Sequence, residues 1–324
     1  MRKIFSLILT FICTISFSIN AFAKKTYEPV EVNVPPKILF LGDSIATGFG
    51  LEGYENGRQN CHSYANQLTD KYMNELKEKC ETYSENLAID GQTSSQLIDK
   101  IQSGTYDKQL ENVDAVVISI GGNDILSVYS NLFHNNSEDG FFLTEIAKNI
   151  VNMGENVDKN VEAFDGNIAK IGQMLNEKSD AKIIVQTLYN PFNEDYKIPF
   201  LNDFFEKKIT AINDSIFLHK NDENGGYLVA DVYSQFIDKG SDYTKIDDFD
   251  VHPNQLGHDT IADCVDKAIK LEKYTYNKEI EVPDDDTAGF QNTFIQTTIF
   301  ICAIIILSAL IVLLVVYIGK RRRK

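Results

Sequence analysis

The chain has 324 residues, 43% of them hydrophobic, and 31 basic against 47 acidic side chains give a net charge of −16. That length holds one large domain or two small ones. The anionic surplus repels nucleic acid and anionic lipid or wall polymers, so a nucleic-acid partner is excluded.

The amino terminus carries Arg2 and Lys3, an apolar stretch and Ala21-Phe22-Ala23, which predicts a secretory signal peptide over residues 1–23. Residues 24–36 read as a short tether ending in Pro35-Pro36. A single domain is expected over 37–275, followed by an acidic stalk over 276–293. A transmembrane helix is expected over 294–318, where Ile299–Ile318 is apolar apart from Ser308, and the basic tail 319–324 follows. About 20 such residues rising ~1.5 Å each match the ~30 Å of bilayer hydrocarbon. The expectation is a single-pass type I protein of the cell membrane, held by a C-terminal transmembrane helix, with its domain extracellular and the basic tail inside.

Within the domain, KILFLG (37–42) reads as a buried strand and 62–79 as a helix, with Tyr64, Leu68, Tyr72 and Leu76 on one face. A strand follows at 82–89, a helix at 94–102 and an almost wholly apolar strand at 114–122. The stretch 125–181 is too long for one crossover, and two helices are expected there, over 142–157 and 161–175. A strand at 182–192, a helix at 200–220, a strand at 225–233 and a helix at 256–273 complete the series. Strands alternating with helices predict an α/β fold, a flavodoxin-like three-layer α/β/α sandwich around a five-stranded parallel sheet.

The most informative residues are Gly42-Asp43-Ser44. A strand that ends there and breaks places the Ser44 hydroxyl at the carboxyl edge of the sheet, where open α/β sheets bind ligands. Gly91 follows the second strand in DGQT, Asn123 follows the third in GGND, and His252 begins HPN just before the last helix. All can converge on that edge. Asp43 is expected to hold the Ser44 turn by local hydrogen bonds, and Asp124 to brace its own loop. Tyr64 and Tyr72 read as core, His62 as a surface residue at a helix start, and His258 as structural. No metal-ligand spacing is present, so neither a metal nor a cofactor is expected. Cys61 and Cys80 bracket a helix that would hold them ~28 Å apart. A disulfide in the domain would therefore need Cys264 with one of them, and three free thiols are an equal alternative.

The four blocks GDS (42–44), DGQT (90–93), GGND (121–124) and HPN (252–254), in that order, resemble the SGNH, or GDSL, hydrolase family of esterases and lipases, from Lys37 to about Lys273. The resemblance implies Ser44 as nucleophile, His252 as general base, and Gly91 and Asn123 as oxyanion donors. A hydroxyl attacks poorly until a base takes its proton, and the oxyanion that forms needs donors already aimed at it. One position departs from the family pattern. The acid usually stands three residues before the histidine, where this chain has Phe249. Asp250 is favoured in its place, with Asp248 in reserve and a backbone carbonyl as a third way to orient the ring.

A carboxylic ester hydrolase follows from these residues, with a small-molecule, glycan or lipid ester as substrate. O-deacetylation of a surface glycan is one reading. A lipase, lysophospholipase or thioesterase is the other, with Phe141, Phe142, Tyr189 and Phe192 as an acyl groove. A non-catalytic binding module on the same fold is the rival of another class. The sequence gives no oligomeric state.

Overall fold

The computed structural model describes residues 23–126, 141–193, 199–248, 250–283 and 295–308, with 311, 318, 319 and 321. In chain order the elements are β1 (Ala23–Val32), β2 (Lys37–Gly42), α1 (Ser44–Thr47), α2 (Tyr64–Leu76), β3 (Tyr83–Asn86), α3 (Ser94–Gln102), α4 (Asp107–Leu110), β4 (Ala115–Ser119) and α5 (Gly122–Leu126). They continue with α6 (Phe141–Lys178), β5 (Lys182–Gln186), α7 (Pro199–His219), β6 (Leu228–Ala230), α8 (Tyr233–Phe236), α9 (Gly240–Tyr243), β7 (Thr244–Lys245), β8 (Asp250–Pro253), α10 (Gln255–Lys270) and β9 (Tyr274–Pro283).

Five strands form one sheet in the order β3-β2-β4-β5-β6, every neighbouring pair parallel. This is the flavodoxin-like order, in which the chain starts inside the sheet, builds one edge, then crosses back to build the other. Side chains alternate between the faces of a strand. Ile38 and Phe40 of β2 and Val117 of β4 therefore pack on one side with Tyr64 and Tyr72 of α2 and Val265 of α10. Leu39, Leu41 and Val116 pack on the other with Leu97 of α3, Phe164 of α6 and Ile212 of α7. Because both faces are covered, all five residues of β4 are buried, and the strand reads as a continuous apolar run rather than an alternating one. Each fully buried Leu or Ile contributes roughly 1.5–3 kcal/mol by leaving water.

The two helices expected across 142–175 are one continuous helix, α6. Gly154 and Gly166 lie inside it. A mid-helix glycine costs only about 1 kcal/mol relative to alanine. Burial of Val157, Val161, Phe164, Ile168, Ile171 and Leu175, three or four residues apart along one face, outweighs that cost. Cys61, Cys80 and Cys264 are all free thiols.

The chain divides into two compact units, one comprising Glu31–Thr275 and the other Met1–Val30 with Tyr276–Lys324. The five-stranded sheet lies in the first. In the stretches read as tether and stalk, β1 and β9 pair as a two-stranded sheet. The signal peptide expectation falls on residues 1–22, which lie outside the described residues, as do 284–294 of the stalk and span.

The expectation of a cell-membrane, single-pass type I protein is corrected. Among the described residues no helix is long and apolar enough to cross a membrane.

Candidate active site

The turn that presents Ser44 is set by three neighbours in sequence. Gly42 ends β2 with φ +114°, and a Cβ there would lie 1.8 Å from the Ser119 carbonyl oxygen of β4, so only glycine fits. The Asp43 N–H donates to that carbonyl at 2.9 Å. The Asp43 carboxylate caps α1 by accepting the Ile45 N–H at 3.1 Å, and also accepts the Ser119 hydroxyl at 2.9 Å. Asp43 thus holds the turn, as its sequence position suggests. It is 1% exposed, and burial pushes its carboxyl up to about 7 against the lowering effect of those two hydrogen bonds. Ser44 opens α1, and Gly48 closes it in the left-handed region at φ +79°.

Asp250 and His252 stand on β8, which pairs antiparallel with β7. His252 Nε2 lies 3.0 Å from Ser44 Oγ. Its Nδ1 lies 2.5 Å from Asp250 Oδ1, which also accepts the His252 main-chain N–H at 3.0 Å. Burial works against ionisation of Asp250, but the hydrogen bonds and charge of His252, with Lys245 behind them, bring its carboxyl below the usual aspartate value. The reserve candidate Asp248 ends a short 3₁₀ turn and is exposed. The Phe49 ring packs on the imidazole at 4.8 Å between centroids and on Tyr54 at 5.4 Å.

Gly91 and Asn123 reach the same edge from the loops after β3 and β4. The Ile89 N–H donates to the Gly42 carbonyl at 2.8 Å. Asp90 accepts the Thr47 hydroxyl of α1 at 2.5 Å, and the Tyr54 hydroxyl also donates to it. Gly91 has φ +75° and open space where a Cβ would be, so its backbone is accessible. Asn123 Nδ2 donates to the Gln92 carbonyl at 3.1 Å, and a second amide hydrogen remains for a ligand. Asp124 braces this loop: its carboxylate accepts the Ser94 N–H at 3.0 Å and the Ser94 hydroxyl at 2.5 Å. Burial raises its carboxyl, and those two bonds oppose the shift.

A pocket of about 110 Å³ opens beside Ser44, Asn123 and His252. Its wall is mostly apolar, from Ile125, Leu126, Leu188, Pro191, Phe205 and Ile209 among others. Of the four aromatic residues considered for an acyl groove, Tyr189 lines this pocket, and Phe192 is buried in the core. Phe141 and Phe142 begin α6, and their side chains are outside those described. His62 is exposed, whereas Tyr64, Tyr72 and His258 are fully buried. Among the described residues no cluster of His, Cys, Asp or Glu is placed to hold a metal ion.

Ser44, His252 and Asp250 are therefore linked by hydrogen bonds across 208 positions of sequence, and Asn123 lines the same pocket, whereas Gly91 is not among the residues that line it. Three neighbours of this site escape a reading of the sequence: Asp90, Phe49 and Lys245. Only Asp90 leaves a signal, standing immediately before Gly91 in DGQT.

A model of the GDSL-like lipase/acylhydrolase family matches residues 40–260. The uncharacterized protein YpmR of Bacillus subtilis (strain 168) is 24% identical over 276 residues, covering 82% of this chain and 94% of that protein. Similar solved structures include the lipase Lip_vut3 from a goat rumen metagenome, 21% identical over 72% of this chain and 96% of its own, with a TM-score of 0.48. Another is Axe2, an acetylxylan esterase from Geobacillus stearothermophilus, 18% identical over 73% of this chain and 95% of its own, also with a TM-score of 0.48. The family match spans well over half of the chain, from the strand before Ser44 to the helix after His252, and the chain belongs to the GDSL-like lipase/acylhydrolase family.

Proposed function

We propose that this protein is a serine esterase that hydrolyses carboxylic esters with an apolar acyl part through an acyl-Ser44 intermediate. The observation that carries the reading is the continuous relay from the Ser44 hydroxyl through the His252 ring to the Asp250 carboxylate. His252 Nε2 takes the hydroxyl proton as the oxygen attacks the ester carbonyl, and Asp250 stabilises the imidazolium that results. The Asn123 amide, the Gly91 N–H and the Ser44 N–H receive the negative oxygen of the tetrahedral intermediate. Collapse expels the alcohol, which takes the proton back from His252. Water, deprotonated by the same ring, then frees the acid and restores Ser44.

The apolar wall beside Ser44 favours an acyl chain over acetyl, because each methylene removed from water adds about 0.8 kcal/mol to binding. O-deacetylation of a glycan would leave most of that wall unused. A series of p-nitrophenyl esters from acetyl to octanoyl distinguishes the readings. Rising kcat/KM with chain length supports the acyl-chain reading, and a maximum at acetyl supports deacetylation. Ser44→Ala abolishes turnover and labelling by a fluorophosphonate while leaving the far-ultraviolet circular dichroism unchanged. Undiminished turnover in that variant overturns the proposal and returns the fold to a binding role.

A further inference from the structure

We infer that Lys245 is a positioning residue for the acid of the site, holding the Asp250 carboxylate from the side that His252 leaves open. The inference rests on the hydrolytic reading above, which Ser44→Ala tests separately. Three observations carry it. First, Lys245 on β7 is the cross-strand partner of Asp250 on β8, so the two backbones are locked to one another. Second, the two groups bound the same small space. A Cβ built on Gly50 would lie 3.1 Å from Lys245 Nζ and 3.4 Å from Asp250 Oδ2. Third, the Lys245 ammonium donates to the Gly50 carbonyl. It thereby ties the loop that leaves the Ser44 helix to β7, the strand paired with the one that carries acid and base.

The division of the two carboxylate oxygens explains why such a residue is needed. Asp250 Oδ1 accepts both the ring and the main-chain N–H of His252. Oδ2 is the oxygen that borders the space beside Gly50, which the ammonium also borders. An acid only two residues before its histidine, on the same strand, can swing about its own side-chain bonds. A cation near the far oxygen, acting through space rather than by direct contact, favours the ionised form and the rotamer that keeps Oδ1 on the ring. The direction of the Asp250 shift, lowered in part by Lys245, agrees. Gly50, with φ +80°, leaves the gap open.

The test is a double-mutant cycle on the full chain with p-nitrophenyl butyrate, scored by kcat and KM separately. Lys245→Met lowers kcat about tenfold with KM unchanged, and Lys245→Arg restores most of the loss. In an Asp250→Asn background, where there is no carboxylate to hold, Lys245→Met changes kcat less than twofold. Lys245→Gln, which removes the charge but keeps a donor, provides the same cycle if the methionine variant does not fold. The inference is overturned if removing the charge costs as much in the Asp250→Asn background as in the native one, or if no loss occurs in the native background.

Discussion

His258 makes the strongest physical prediction in the molecule. It is fully buried in α10, and its Nδ1 accepts the Tyr64 main-chain N–H at 3.3 Å. Protonating that nitrogen would set one N–H against another. Burial, reinforced by the positive surroundings of His252, Lys245 and His62, lowers its pKa from 6.5 to about 3. The folded state therefore refuses a proton that the unfolded chain accepts, and stability falls as pH drops below about 6.5. The full displacement corresponds to roughly 5 kcal/mol at ~1.4 kcal/mol per unit, and the part lost between pH 7 and pH 5 to about 2 kcal/mol. His258→Gln keeps an acceptor for Tyr64 but cannot ionise. Urea unfolding of both proteins at pH 7 and pH 5, followed by far-ultraviolet circular dichroism, isolates the term, because other titrating groups cancel in the difference. Native protein loses about 2 kcal/mol more than the variant over that interval. Equal losses would show that His258 takes up its proton without unfolding, and the account of its burial would be wrong.

The site gives further tests. Asp250→Asn lowers kcat by ~10²–10⁴ while Asp248→Asn changes it less than twofold, in steady-state ester hydrolysis, because Asp250 is the aspartate hydrogen-bonded to the ring. Asn123→Ala lowers kcat by ~10²–10³ with little change in KM, the mark of a donor used in the transition state. Asp43 titrates in the opposite sense to His258. Its folded carboxyl holds a proton up to about 7, so its contribution to stability is present at low pH and is lost as pH rises from about 4 to about 7. Asp43→Asn removes that decline, which urea midpoints across this range detect.

The legible parts of this chain are those whose signals are local. Buried parallel strands are continuous apolar runs, so β2 and β4 stand out unaided. Ser44 and His252 are visible because their residue types and their places at element ends carry the chemistry themselves. Helix α6 reads as two helices because 125–181 is too long for an ordinary crossover, and the sequence does not show that a single helix of Phe141–Lys178 occupies most of it. The acid is harder. The usual position holds Phe249, and choosing Asp250 over Asp248 requires knowing that β8 is extended and turns its carboxylate onto the ring. Lys245, Asp90 and Phe49 leave little trace because their neighbours come from distant sequence: a hairpin register, a hydroxyl on α1, an imidazole on β8. The membrane expectation rests on an apolar run and a basic tail, and among the described residues no helix is long and apolar enough to cross a membrane.

One consequence follows from acid and base sharing the short strand β8, with a single oxygen of Asp250 holding the main-chain nitrogen and ring Nδ1 of His252. The two form a cartridge whose internal geometry survives if the hairpin shifts as a body. Such a shift alters one variable, the gap to the hydroxyl of residue 44. Damage to the hairpin's seat should slow acylation and deacylation together, with the acid–base profile retaining its shape.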